Sequence, residues 1–356
     1  MKSFWQKRNL PILIAHVPNK KLPLISVVIP VFNQSKAIAN VIFSVVKCVD
    51  SPFELIIIDD ASEDSSLREI ENSCLEILNY KLVNFCGYTI YKNRKSKFET
   101  YCDYFGFSKS SGQFLLEVQA DMVIRDSKFD QRLLKAMEKF PNLMAISGRG
   151  TEKLLPIAKE FVNVNETLNL QFFAKVKFWL RFFVNRFNTF HAFKSNKTTF
   201  EPPPQPKIFR ETPGFETHGN AGRLGPLISH NLSPNEIQNR ILYFGDTVMR
   251  GPLFIRKEMY EELGGLLVNH YFLGFDDHDL FYRAFLLKEW RVAYTPINFE
   301  SPLANGSTRK ARTFRQEWLF YKNKARTRKV YQESLLYSLG SKGFPFIAPP
   351  WKIENF

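Results

Sequence analysis

The chain has 356 residues, a formal net charge of +14, 44% hydrophobic content and 35 phenylalanines. That length and apolar content fit a globular protein with a substantial core and exclude a low-complexity chain. The four cysteines, Cys48, Cys74, Cys86 and Cys102, show no C-x-x-C spacing, which argues against a zinc site or a disulfide framework. They read as reduced, mostly buried thiols of a cytosolic protein. The N-terminal stretch MKSFWQKRNLPILIAHVPNKK has an apolar run of only about eight residues, too short for a membrane span and weak as a signal core. No other segment is long enough to cross a bilayer, and no internal repeat is visible.

In chain order, Ser26 to Val31 is a short β-branched run, the pattern of a buried parallel strand. Asn33, Gln34 and Ser35 offer an N-cap for an apolar helix from Ala37 to Val49. Glu54 to Ile58 predicts a second buried strand, which runs into Asp59-Asp60-Ala61-Ser62. Ligands of open α/β sheets bind where strands end, so these two carboxylates are expected to face the crevice. The stretch is a βαβ unit with a polar ligand at its rim.

The sequences Val27-Val28-Ile29-Pro30-Val31-Phe32-Asn33 and Asp59-Asp60-Ala61-Ser62-Glu63-Asp64 together resemble the two opening motifs of family-2 glycosyltransferases. The resemblance implies a GT-A fold, an α/β architecture with a mostly parallel central sheet flanked by helices. It also implies that Pro30 and Phe32 flank the donor base, with Asn33 and Ser62 beside them, and that Asp60 accepts from uracil N3–H. A carboxylate accepting from an imide and an aromatic ring on a pyrimidine are both sound chemistry.

Ser111 to Met122 is similar to the family strand that ends in D-x-D and holds a divalent cation on the sugar diphosphate. Here Asp121 keeps the last carboxylate and Gln119 stands at the first. The implied cofactor is Mn²⁺ or Mg²⁺, a hard cation that neutralises the departing diphosphate. The family's upstream A-R-N is replaced by Cys102-Asp103-Tyr104. Arg94, Lys95 and Lys97 stand nearby as alternative diphosphate contacts, with Arg94 the first choice.

The block from Arg250 to Leu280 is similar to the family's acceptor region. Its acidic run Asp276-Asp277-His278-Asp279 precedes a helix predicted over Leu280 to Lys288. The resemblance makes Asp277 the general base for an inverting transfer and Asp276 a contact to the acceptor hydroxyl. A strand is predicted at Arg291 to Thr295. Family members often place a metal-binding histidine a few residues on; Glu300 is its substitute here. Gly306 to Lys310 suits a basic loop near the diphosphate.

An insertion separates these motifs. Wound as a helix, Leu168 to Lys194 gathers Phe172, Val176, Trp179, Leu180, Phe183, Phe187 and Phe190 on one face, with cations interleaved. Such a helix suits a membrane interface carrying anionic lipid, or a domain helix packed on both sides; both readings stand. Thr198 to Pro234 is Pro- and Gly-rich and reads as a long loop. A basic helix from Phe314 to Ser334 and an aromatic coil follow. The expected division is an N-terminal extension (1–23), a nucleotide-sugar part (24–150), the insertion (151–240), an acceptor part (241–310) and a basic C-terminal extension (311–356).

The function these features imply is transfer of a sugar from a nucleotide-diphosphate donor, UDP-linked by preference, to a hydroxyl acceptor. Expected partners are that donor, a glycan or lipid-linked glycan acceptor and an anionic membrane surface, with no nucleic acid. The expected setting is the cytoplasm, at the inner face of a membrane, in synthesis of cell-surface polysaccharide or glycolipid. A sugar nucleotidyltransferase would want a Gly-rich, basic loop after the first strand, and Asn33-Gln34-Ser35-Lys36 is not one. The alternative from another class is a non-catalytic GT-A-like protein that binds membrane or polyanion through its basic aromatic insertion. Gln119 favours it, and the joint retention of Asp60, Asp121 and Asp277 opposes it.

Overall fold

A computed structural model describes residues 10–151, 215–216, 228–229, 241–245, 248–269, 271, 276–301 and 352–355. The first part runs β1 (Ile12–Val17), β2 (Ile25–Val31), α1 (Ile38–Cys48), β3 (Phe53–Asp59), α2 (Ser66–Asn79), β4 (Phe85–Lys92), α3 (Phe98–Lys109), β5 (Phe114–Glu117), β6 (Val123–Ile124), α4 (Phe129–Lys139), β7 (Leu143–Ser147) and β8 (Gly150–Thr151). The second runs β9 (Phe215–Glu216), β10 (Ile228–Ser229), β11 (Ile241–Gly245), β12 (Leu253–Arg256), α5 (Lys257–Glu262), α6 (Asp276–Lys288), β13 (Arg291–Tyr294), β14 (Phe299–Ser301) and β15 (Lys352–Asn355).

The principal sheet has ten strands in the order β1-β4-β3-β2-β5-β12-β7-β13-β11-β15. Strands β4, β3, β2 and β5 are parallel to one another, as are β7 and β13. Strand β12 lies between β5 and β7 and is antiparallel to both. The mixed, mostly parallel sheet with helices on both faces is the expected α/β class.

Every residue of β2 and β3 is buried, so their unbroken apolar runs read as strands covered on both faces. Alternation sorts the side chains. Val27, Ile29, Leu55, Ile57 and Leu116 pack against α1, α2 and α4. Val28, Ile56, Ile58 and Leu115 face α3, α5 and α6. Each such buried aliphatic side chain contributes about 1.5–3 kcal/mol. Gly106 on α3 lets the helix sit on β2, since a Cβ there would stand 2.4 Å from Val28 Cγ1.

Several expectations are corrected. Helix α1 begins at Ile38 with Ala37 at its N-cap and no side-chain cap. Asn33, Gln34 and Ser35 instead donate their backbone N–H groups to Ser62 Oγ, Ser66 Oγ and Asp64 Oδ2, joining two loops. Helix α6 starts at Asp276, four positions ahead of Leu280, with Asp276, Asp277 and Asp279 in its first turn, where carboxylates complement the dipole. The N-terminal extension supplies the edge strand β1, paired antiparallel with β4. The aromatic tail supplies β15, paired with β11, where coil was expected, because β11 offers an open edge. The aromatic stretch Leu168–Lys194, the loop Gly306–Lys310 and the basic helix Phe314–Ser334 lie outside the described residues, as does all of Thr198–Pro234 except β9 and β10. Among the described residues no helix is long and apolar enough to cross a membrane, and the four cysteines are buried and free.

Candidate active site

The register of β2, β3 and β4 brings Val31, Asp59 and Lys92 side by side at the ends of the parallel strands. The two carboxylates that follow are not open to a crevice: both are buried. Asp59 Oδ1 accepts from the N–H of Ser62 at 3.3 Å, and Lys92 Nζ lies 3.8 Å from Oδ2. Burial raises the Asp59 carboxyl above its ordinary range, against the pull of the Ser62 bonds and Lys92. Asp60 accepts from Asn93 Nδ2 at 2.6 Å, Ser96 Oγ at 2.7 Å and the backbone N–H groups of Lys97 and Phe98 at 2.8 Å each. It thus anchors the 93–98 loop and the start of α3. Pro30 is buried within β2, and Phe32 and Asn33 are half-buried beside this loop's neighbours, with Asn33 in the left-handed region (φ 51) and its side chain accepting from Glu63 N–H at 2.8 Å. Arg94 and Lys95 are exposed, while Lys97 sits 4.0 Å over the ring of Tyr101.

A second centre lies under α3. Glu117 ends β5 on the face that Leu115 presents to α3, α5 and α6. It is 1% exposed, and among the described residues neither carboxylate oxygen has a hydrogen-bond partner. Glu99 and Asp103, one turn apart on α3, meet it: one oxygen from each of the three lies within 4.8 Å of the others. Arg250 forms hydrogen-bonded ion pairs with Asp103 and with Asp276, and its Nη1 lies 3.8 Å from Glu99 Oε1. Gln119 Nε2 donates to Glu99 Oε1 at 2.9 Å. Burial, followed by the charges of Glu99 and Asp277, holds the Glu117 carboxyl well above the usual range; Arg149 opposes this and Asp121 adds to it.

The chain returns to this centre through Gly251, whose φ of +77° and close approach exclude a side chain: a Cβ would stand 2.5 Å from Met122 Sδ. That glycine lets Arg250 reach α3 and lets β12 enter beside β5. Gln119, bonded to Glu99, and Asp276, paired with Arg250, are thereby tied to the cluster around Glu117. Asp277 is 9% exposed, and Asp276 is fully buried on Arg250. Asp279 is held by Arg283 at 2.8 Å and by the Tyr271 hydroxyl at 3.2 Å, so it braces the first turn of α6.

Glu300 stands apart from this cluster. Its strand β14 places it opposite Val123, two positions beyond Asp121, but its carboxylate pairs with Arg125 at 3.1 Å. Sequence reasoning missed Glu99, Glu117, Arg149 and Arg250 and noticed Asp103 only as a departure from A-R-N. The available signal was Glu117 itself, a carboxylate inside the apolar run Phe114–Val118.

Acid-tipped parallel strands, an antiparallel strand entering at a glycine and an acidic helix start above them define a GT-A-type domain. Residues 26–192 match the family described as Glycosyl transferase family 2. No curated protein matches the chain. Among solved structures, GalNAc-T7 with UDP, GalNAc and Mn²⁺ is 14% identical, covered over 78% of this chain and 43% of that one, with a TM-score of 0.46. S. aureus TarS is 12% identical, with 78% and 36% covered and a TM-score of 0.42. The Pyrobaculum calidifontis mannosyltransferase PcManGT, in complex with GDP-Man and Mn²⁺, is 11% identical, with 92% and 79% covered and a TM-score of 0.43. The chain spans less than half the length of the first two.

Proposed function

We propose that this chain transfers a sugar, with inversion, from a nucleotide-diphosphate donor, UDP-linked, to the hydroxyl of a glycan or lipid-linked glycan. The observation that supports it most is the pairing of Arg250 with both Asp103 and Asp276, which sets the acidic start of α6 beside the carboxylate cluster at the end of β5. In this reading Asp277 takes the proton of the acceptor hydroxyl as that oxygen attacks the anomeric carbon, and Asp276 contacts the acceptor. Pro30, Phe32, Asn33, Asp60 and Ser62 hold the base and ribose, and Arg94 and Gln119 lie toward the diphosphate. Asp60 is now filled by the 93–98 loop, so base recognition requires one of those donors to give way.

Asp121 is the carboxylate proposed to hold Mn²⁺ or Mg²⁺, which would neutralise the diphosphate leaving group. Glu300 fits as a second ligand only by leaving Arg125. That pair is half-exposed, at 42% and 54%, and such pairs are worth about 0–1 kcal/mol. The cell-surface polysaccharide or glycolipid setting and the anionic membrane face rest on the basic charge and the aromatic insertion.

A thermal-shift panel of UDP-, GDP-, dTDP- and CMP-sugars, with and without Mn²⁺, tests this on the wild type and Asp121→Ala. A donor that binds the native state raises the melting temperature by mass action. One donor stabilising the wild type with metal, and not the mutant, is the expected result. No shift with any donor overturns it and favours the non-catalytic, membrane-binding alternative.

A further inference from the structure

We propose that Glu117, with Glu99 and Asp103, forms a site for a hard divalent cation of its own, separate from the one assigned to Asp121. The first ground is geometric. One carboxylate oxygen from each of these residues lies within 4.8 Å of the others, a span that a single ion can bridge. They come from two rigid elements, the end of β5 and the first two turns of α3, which pack on one another.

The second ground is the state of Glu117. It is 1% exposed, and both side-chain oxygens lack a hydrogen-bond donor among the described residues. Asp103 repeats the pattern on a smaller scale: one oxygen is bound by Arg250, and Oδ1 has no partner among the described residues. Buried carboxylates are ordinarily hydrogen-bonded or paired, because desolvation of an unpartnered charge costs several kcal/mol. Here Glu117 and Asp103, two members of one cluster, leave three oxygens bare, and these call for a ligand with positive charge.

The local charge balance says the same. Glu99, Asp103, Glu117, Asp276 and Asp277 press on this centre, against the guanidiniums of Arg250 and Arg149. A dication would offset two of the three excess negative charges. The donor set is oxygen only, with no thiolate or imidazole among the three, which selects Mg²⁺, Mn²⁺ or Ca²⁺ over zinc or copper. Bound there, the ion would tie α3 to the strand whose next outward residue is Gln119, in place of a carboxylate.

The inference does not rest on the glycosyl-transfer reading, since it requires no nucleotide. The test is a Mn²⁺ titration of the full chain at neutral pH without nucleotide, followed by electron paramagnetic resonance of free Mn²⁺ and by melting temperature. Wild type, Glu117→Gln, Glu99→Gln and Asp121→Asn are compared. We expect uptake with a rise in melting temperature in the wild type and in Asp121→Asn, and loss of both in the two Glu variants with unchanged circular dichroism. If Glu117→Gln does not fold, Glu99→Gln decides, because Glu99 is only half-buried. No uptake by the wild type overturns the proposal and leaves Glu117 as a buried neutral acid. Uptake that survives both Glu variants and disappears in Asp121→Asn also overturns it. A protein that takes up Mn²⁺ here but ignores every donor sugar upholds this site and removes the proposed function.

Discussion

Gln119 donates to Glu99 across 2.9 Å, and this bond fastens the segment after β5 to the first turn of α3. Gln119→Asp would restore the D-x-D pattern, yet it replaces a donor with a charge facing Glu99. In EDTA the variant should melt about 2–4 °C lower, the equivalent of about 1 kcal/mol. Added Mn²⁺ should recover the difference. An unchanged melting temperature in EDTA would show that the bond carries no weight.

Arg250 holds α6 and α3 together by pairing with Asp276 and Asp103 at once. Arg250→Met leaves two buried carboxylates without their cation, which costs about 3–5 kcal/mol. Arg250→Lys keeps the charge but loses the planar fork and should fall between. Urea denaturation of the three proteins measures this, and equal midpoints would refute it.

Asp277→Asn should lower the turnover of the transfer reaction about 10²- to 10⁴-fold, the range for a lost general base. The melting-temperature shift given by the donor should be unchanged, because the role proposed for Asp277 is toward the acceptor. A rise in KM for the donor with kcat intact would assign Asp277 to binding.

Asp60→Asn can no longer accept on both oxygens from Asn93, Ser96, Lys97 and Phe98. The amides of Lys97 and Phe98 should exchange with solvent about tenfold faster or more, from loss of about 1–3 kcal/mol. Hydrogen-exchange mass spectrometry over the 93–98 loop reads this. Unaltered protection would mean that the loop is held elsewhere.

Glu54 is buried, which pushes its carboxyl up, but bonds from Ser26, Asn19 and Ser111 outweigh this and hold it below the ordinary value. A depressed folded-state value contributes stability that is present above the unfolded glutamate pKa of about 4.3 and lost as pH falls through the folded value. Glu54→Gln should therefore be less stable than wild type at pH 7, and the gap should close in acid. Parallel stability curves down to low pH would contradict the assignment.

The strands were legible because their apolar runs are nearly unbroken, and Ser26–Val31 and Glu54–Ile58 fall within β2 and β3. The motif carboxylates were legible for a related reason: they stand directly after those runs. Partners distant in sequence were not. Arg250 lies 147 positions from Asp103, and nothing near either residue announces the pairing. The start of α6 was read late because consecutive aspartates look like a loop, although a helix N-terminus stabilises them. Asp59 and Asp60 were read as facing a ligand because strand ends usually do, whereas here the 62–66 and 93–98 loops fold over them.

Strand β12 enters the middle of the sheet from far along the chain. During synthesis β2, β3, β5 and β7 leave the ribosome well before residues 253–256 exist. Until then β5 and β7 each carry a bare backbone edge at what will be the centre of the fold. A nascent chain in that condition is open to pairing with another copy of itself, and non-local closure of this kind is slow. A fragment cut at residue 192 would contain the whole family match and still lack that strand. Expressed alone, it should gather into aggregates, and supplying the later segment in trans should return it to solution.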